Sequence, residues 1–302
     1  MRVLIGGGSG FVGRELTQVL RSQGHEVTIV SQQPGPGRIT WADLERDGLP
    51  PCDGAVNLAG ENLMNPLRRW NESYKKDLFS SRIDTTRSLV KAIASSSSPP
   101  KSWVLVTGVA CYKPSQTAEY SEDSELTPYD FLSKLVKEWE GTGHLPENVA
   151  HNTRQVIIRS GLVLGRSGGA MKQMLTPFWL GLGGMLGSGQ QPFPWIHVAD
   201  LAGIIACSLE PSSDPSRSSP ELYNGVAPAR NTNYEFTKAL GQALHRPTLF
   251  SVPGFVIRAL LGAERALVLT EGQWVIPKKT IESGYKFQYP DLKSALQEVV
   301  GS

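Results

Sequence analysis

Cysteine is scarce in this chain: Cys52, Cys111 and Cys207 are the only three among 302 residues, widely spaced and without a CxxC pair. Neither a disulfide framework nor a structural zinc site is expected from an odd, scattered set, and the usage fits a reducing compartment. A strong charge of one sign is also missing. The net charge is +2 with basic residues dispersed, so there is no footprint for a polyanion and no nucleic-acid partner is expected. No apolar run reaches the roughly 18 residues of a membrane helix. The nearest, Phe255 to Leu269, is interrupted by Arg258, Glu264 and Arg265, so no membrane partner is expected. His144 and His151 have no cysteine or carboxylate cluster beside them, which gives no metal site. An internal repeat is absent. A first strand beginning at Arg2 leaves no room for a signal or transit peptide, which makes the cytoplasm the default expectation.

What is present is a composition for a sizeable core, 40% hydrophobic and 19% charged, in a length that suits one large or two ordinary domains at roughly 150 residues each. The apolar run Val3-Leu4-Ile5 leads into Gly7-Gly8-Ser9-Gly10-Phe11-Val12-Gly13. Behind it, Val12, Leu16, Val19 and Leu20 repeat at helical spacing until Gly24-His25, and Glu26 to Ser31 reads as a second strand. In such a βαβ unit the glycines let the chain turn sharply, bring backbone N–H groups against a pyrophosphate, and pack helix close to strand. The cofactor-contact set expected there is Gly7, Gly10, Phe11, Val12 and Gly13.

The alternation continues. Gly54 to Gly60 reads as a buried parallel strand, Trp70 to Ser95 as a long helix, Ser102 to Thr107 as a strand, Phe131 to Gly141 as a helix and Gln155 to Arg159 as another buried strand. The fold class expected is α/β, a Rossmann-type doubly wound parallel sheet with a smaller C-terminal substrate-side lobe. The boundary is placed between 1–225 and 226–302. Past about Gly165 come glycine-rich loops, Trp195 to Val198, and a helix through Leu209; Ser212 to Pro220 reads as an exposed loop. Helices are expected near Asn233 to Leu244 and over Val256 to Leu269. Gly181 to Gly184 with Gly187-Ser188-Gly189 suggests a flexible loop over the cleft, either a lid or an irregular surface loop.

Gly7-x-x-Gly10-x-x-Gly13, Asn57 to Gly60, Arg159 to Gly165 and Trp195 to Leu201 occur in order, and together they resemble the extended short-chain dehydrogenase/reductase superfamily. Ser81-Arg82 and Glu271 to Lys279 are similar to its atypical branch of epimerase family proteins, and the likeness covers nearly the whole chain. The resemblance implies that Leu58 and Ala59 line the cofactor with backbone, that Arg82 and Asp77 on the long helix reach toward it, and that Ser160 meets its nicotinamide end. Helix-surface ion pairing for Arg82 and Asp77, and a turn serine capping its own backbone, are the structural alternatives. An NAD enzyme commonly carries an acid roughly 20 residues after the glycine turn. Here Ser31-Gln32-Gln33 stand there with Arg38 nearby, and a hydroxyl, an amide and a guanidinium favour the 2′-phosphate of NADP.

The superfamily usually works with Tyr-x-x-x-Lys, whose ammonium lowers the phenol's pKa. Here Phe131 and Leu135 take those two places and the usual serine falls near Thr107 or Gly108. The literal match Tyr234 to Lys238 lies too late in the chain for that role. Tyr112 and His197 are the replacement proton donors to consider, against packing beside the nicotinamide for the one and a satisfied structural histidine for the other. The expected activity is that of an NADP-dependent oxidoreductase acting on a small-molecule substrate. Its alternative is a non-catalytic NADP-binding module or redox sensor. Sugar-nucleotide epimerisation proper would require an acid/base pair the chain does not display.

Overall fold

The computed structural model describes residues 1–211 and 220–301. The segment read as an exposed loop, Ser212 to Pro220, lies outside the described residues but for Pro220. In chain order come β1 (Arg2–Gly6), α1 (Phe11–Ser22), β2 (Glu26–Ser31), β3 (Arg38–Thr40), α2 (Trp41–Asp47), β4 (Gly54–Asn57), α3 (Glu72–Ala94), β5 (Ser102–Gly108) and β6 (Glu119–Tyr120). Then follow α4 (Phe131–Thr142), α5 (Glu147–Ala150), β7 (Arg154–Ser160), β8 (Leu162–Leu164), α6 (Gly169–Trp179), β9 (Gly184–Leu186), β10 (Trp195–His197), α7 (Val198–Leu209) and β11 (Glu221–Gly225). The chain ends through α8 (Asn233–Leu244), β12 (Phe250–Val252), α9 (Gly254–Leu261), α10 (Ala263–Thr270), β13 (Trp274–Val275), α11 (Lys278–Glu282) and α12 (Leu292–Val300).

Seven strands form one parallel sheet in the order β11-β7-β5-β4-β1-β2-β3. Its inner strands have apolar centres because both faces are covered, and the period-two alternation of side chains divides each between two cores. Val3 and Ile5 of β1 point to the face packed by Leu16 and Leu20 of α1 and by Leu201 and Ile205 of α7. Leu4, between them, points to the opposite face with Leu44 of α2, Leu89 and Ile93 of α3, and Leu135 and Trp139 of α4. A third core joins Leu164, Met171, Phe178 and Trp195 to Phe236, Leu240, Leu292 and Leu296, so α8 and α12 of the later chain are seated on β8, β10 and α6.

Chain order reverses at β1: β2 and β3 lie to one side, β4 onward to the other. The crevice outside the carboxyl ends of the strands at such a reversal is where open α/β sheets bind ligands. It is formed here by the turns after β1 and β4, tied together by the Leu58 amide donating to the Gly6 carbonyl at 2.8 Å.

Two expectations are corrected. The helix expected over Val256 to Leu269 is two helices, because Gly262 between α9 and α10 has φ +86°, a left-handed conformation that breaks the run. The glycine-rich stretch from Gly181 is not loop throughout, since Gly184–Leu186 pairs in parallel with Phe250–Val252. Among the described residues no helix is long and apolar enough to cross a membrane.

Candidate nucleotide site and cleft

The turn after β1 is built from backbone. Gly7 has φ +74° and its amide donates to the Val30 carbonyl at 2.9 Å, while the Gly10 amide donates to the Gly7 carbonyl at 2.9 Å. A Cβ on Gly7 would lie 2.8 Å from the Ala59 backbone, and one on Gly13 would lie 2.5 Å from Gly8 Cα. Neither position has room for a side chain. Helix α1 then begins at Phe11 with Gly10 as an N-cap that makes no side-chain hydrogen bond, and its first turn carries no acid. The opening amides of a helix have no intrahelical partner, and the helix dipole adds positive potential there, so this terminus suits an anion. Arg14 supports the turn by donating to the Ser9 carbonyl at 3.1 Å. Val12 packs on the core, and the Phe11 ring occupies the space where Gly165 and Gly168 have no side chains, which docks the chain after β8 against the turn. The cradle therefore fits a dinucleotide's diphosphate.

At the end of β2 the Ser31 hydroxyl is buried and donates to the Gln33 carbonyl at 2.6 Å. That proton is committed to the turn, so the groups facing outward are Gln32, Gln33 and Arg38, all exposed. Ser31 to Thr40 contains no acid.

Beyond β4, fully buried Asn57 donates to Thr86 Oγ1 at 2.8 Å and accepts the Ala59 amide at 3.0 Å, holding Leu58 and Ala59 against the glycine turn. Trp139 Nε1 donates to the same Thr86 oxygen at 2.8 Å. Arg82 does reach back from α3 toward this turn. It donates to the carbonyls of Leu78 at 3.0 Å and Glu61 at 2.9 Å, and a Cβ on Gly60 would stand 3.1 Å from its Cζ. Burial pulls its pKa down to about 10. Asp77 is instead half-exposed and paired with Arg68 at 2.8 Å.

Phe131 and Leu135 both face the sheet-side core, whereas Lys134 is exposed. Farther along α4, Glu140 forms a buried ion pair with β7: Arg159 donates to both of its oxygens, at 2.8 and 2.7 Å. Thr107 donates to Glu140 at 3.1 Å, and Arg159 donates to the Tyr112 hydroxyl at 2.9 Å. Tyr112 is 1% exposed, and its hydroxyl has the Ser121 carbonyl and Asn224 Oδ1 as acceptors, each at 3.0 Å. Burial lifts this phenol to about 12. His197, 2% exposed, lies with Nε2 2.8 Å from Glu298, while its Nδ1 accepts the Ala199 amide at 3.3 Å and caps α7. Ser160 donates to the neighbouring Gly161 carbonyl at 2.8 Å. Tyr234 and Lys238 lie in α8, which packs on α12 and α6.

The contacts that join α3 and the segment before it to α10 have little signal in the sequence. Lys75 on α3 pairs with Glu264 on α10 at 2.7 Å. Arg265, buried, donates to the carbonyls of Arg68 at 2.9 Å and Asn65 at 3.0 Å. These contacts join the segment between β4 and α3 to α10. Their only sequence signal was three charges interrupting an apolar run.

The NAD dependent epimerase/dehydratase family matches residues 3–224, and a family described as a domain of unknown function (DUF1731) matches residues 252–299. Epimerase family protein SDR39U1 of Bos taurus is 56% identical over 301 residues, covering 99% of this chain and all of that one. Epimerase family protein YfhF of Bacillus subtilis is 35% identical, covering 99% and 98%. A crystal structure of human epimerase family protein SDR39U1 (isoform2) with NADPH superposes with a TM-score of 0.94 at 55% identity, covering 99% of each chain.

Proposed function

The chain belongs to the NAD dependent epimerase/dehydratase family, and on that premise we propose that it is an NADPH-dependent oxidoreductase acting on a small molecule. Residues 1–225 hold the nucleotide, and 226–302 complete the substrate cleft at the sheet's carboxyl edge. The single observation that carries the reading is the turn after β1: crowded glycines and an uncapped helix terminus at the topological reversal, next to a β2 end without an acid.

Gly7, Gly10, Phe11, Val12 and Gly13 would present backbone amides to the diphosphate. Gln32, Gln33 and Arg38 would receive the 2′-phosphate, with Ser31 shaping the turn that displays them. Leu58 and Ala59 would supply backbone along the nucleotide, Arg82 fixes Gly60 and Glu61 behind it, and Ser160 closes the far end. When bound, NADPH supplies the hydride chemistry; the protein's part is to orient it, exclude water and place the substrate. Asp77, in this reading, holds Arg68 and the segment before α3.

A second reading, NADPH binding without turnover, draws on Tyr112 and His197: each is buried and fully occupied by structural hydrogen bonds, and the Tyr-Lys pair is replaced by Phe131 and Leu135. Calorimetry separates the cofactor claim from chemistry. NADPH should bind more tightly than NADH, and Gln32→Asp should lower NADPH affinity about tenfold or more by placing like charge at the 2′-phosphate while changing NADH little. Absence of binding by either nucleotide refutes both readings. NADPH consumption across a panel of carbonyl compounds then decides between enzyme and sensor.

A further inference from the structure

We propose that the tip formed by the carboxyl end of α6 and the segment entering β12 docks on an anionic lipid surface, with Trp179, Leu180, Leu182, Leu249 and Phe250 at the acyl boundary and Arg246 among the headgroups. A contact of this kind lies in the plane of the interface and needs no spanning helix.

Five large apolar side chains stand open to solvent here: Trp179 at 59%, Leu180 at 69% and Leu182 at 59%, with Leu249 at 84% and Phe250 at 56%. Contacts between the two segments hold them together. Arg246 donates from Nε to the Trp179 carbonyl at 2.9 Å, and its guanidinium lies 5.5 Å from the centre of the Trp179 ring. A Cβ on Gly181 would lie 3.9 Å from Pro247, and Gly184 is paired with Phe250 in the β9–β12 ladder. The Leu182 amide donates to the Pro177 carbonyl at 2.9 Å, and the buried Phe178 ring fills the space beside Gly183, so the loop carrying Leu180 and Leu182 is fixed to the end of α6. At these exposures the five side chains show on the order of 600 Å² of apolar surface in one place, where single scattered residues would be ordinary.

Charge and shape decide what covers this tip. Neither Gly161 to Ala199 nor Phe236 to Ala263, the stretches that build it, contains an Asp or Glu. Arg246 is exposed beside Trp179, and Lys172, also exposed, lies two turns earlier on the same side of α6, about 10 Å back along the helix. Among the described residues neither cation makes an ion pair. A second copy of the chain seated here would bring these cations against their own counterparts with no acid from either stretch to meet them, and the apolar area falls short of the roughly 800 Å² per partner of a stable pair. The most open side chains, Leu180 and Leu249, project from the loop after α6 and from the residue before β12 and line no groove. A bilayer asks for neither complementary shape nor acids: apolar side chains enter the acyl boundary, an indole suits the interface, and each cation gains from anionic headgroups.

Flotation of the full chain with vesicles tests this, using phosphatidylcholine alone and phosphatidylcholine in a two-to-one mixture with phosphatidylserine. The mixed vesicles should carry the chain with an affinity about tenfold above that for phosphatidylcholine alone, the scale of two cations near a charged surface. Leu180→Ser combined with Leu249→Ser, both at open positions, should weaken binding to the mixed vesicles about tenfold or more, and Arg246→Gln should weaken it about fivefold. NADPH affinity should stay within about twofold in both variants, because α6 meets Phe11 of the nucleotide turn at its other end, through Gly168 and Gly169. No flotation with the mixed vesicles, equal flotation with both compositions, or binding indifferent to either variant overturns the proposal. A dimer in size-exclusion chromatography that Leu180→Ser with Leu249→Ser dissolves would assign the tip to a second copy and overturn it as well.

Discussion

Gly13→Ala adds one methyl group where the turn and α1 touch. The new Cβ would stand 2.5 Å from Gly8 Cα and 2.6 Å from the Gly7 carbonyl oxygen, both backbone atoms that no rotamer change can move aside. Non-bonded carbon atoms settle at about 3.5–4.0 Å, so turn and helix must part by roughly 1 Å. An N–H···O contact lengthened from about 2.9 Å by that amount is no longer a hydrogen bond. If two opening amides of α1 lose a phosphate oxygen at about 1.5–3 kcal/mol each, the loss is about 3–6 kcal/mol, or about 10²–10⁴ in Kd. Forcing a methyl into a packed contact also lowers stability by about 1–3 kcal/mol, so calorimetry must be paired with urea unfolding. Gly141→Ala is the matched control: it lies in α4, its added Cβ meets nothing within 4 Å, and Ala is the better helix former. NADPH affinity in Gly13→Ala within twofold of the parent, with the control equally unaffected, would refute the assignment of the turn.

The buried Arg159–Glu140 pair gives a second expectation. Arg159→Met strands a carboxylate and should cost about 3–5 kcal/mol in urea unfolding, whereas Arg159→Met with Glu140→Leu should regain most of it; a single variant as stable as the parent would remove the pair from the account. Alkali gives a third. Burial lifts Cys52 and Cys111 from 9.0, and Tyr112 from 10.0, to about 12. Each folded value exceeds the unfolded one, so their contribution is complete below the unfolded values and is lost as pH rises toward about 12. At about 1.4 kcal/mol per unit for each fully titrating group, stability should fall by about 3 kcal/mol between about pH 8 and about pH 10. A urea midpoint that is flat across that interval would contradict the burial of these groups.

Where local backbone chemistry decides structure, the sequence was legible. The limits of β2 were readable to the residue, and α1 with its glycine turn was readable because spacing and turn chemistry act within a few residues. Elements whose stability comes from elsewhere were not. Glu221 to Gly225 is short and mixes Glu, Asn and Gly with Leu and Tyr, without a strand period, yet β11 forms an edge of the sheet through its pairing with β7. The α9–α10 break was hidden because Gly262 sits inside an otherwise periodic apolar pattern, and only its left-handed backbone marks the boundary. For the site, the turn after β1 and the missing acid after β2 could be read directly. The bond from Arg82 to Glu61, the pairing of Lys75 with Glu264, and the hold of Arg265 on the segment before α3 could not, because each joins parts of the chain brought together only by the folded sheet.

The replacement of the usual acid/base pair is more than a local deletion. Phe131 and Leu135 face the sheet-side core, and polar groups of α4, the strand ends and the turn after β5 bond to one another: Thr107 to Glu140, Glu140 to Arg159, Arg159 to Tyr112, Tyr112 to Asn224. A network this buried is costly to open, since each unpaired member would bear its own desolvation. It rigidifies the strand ends. Outside that network, Lys75 of α3 stands over the edge-placed Phe131 ring with Glu264 of α10 in contact. Tyr112→Phe keeps the ring and removes one hydroxyl from the network, so it should lower stability in urea unfolding by about 1–3 kcal/mol, and a variant as stable as the parent would refute the network's structural role.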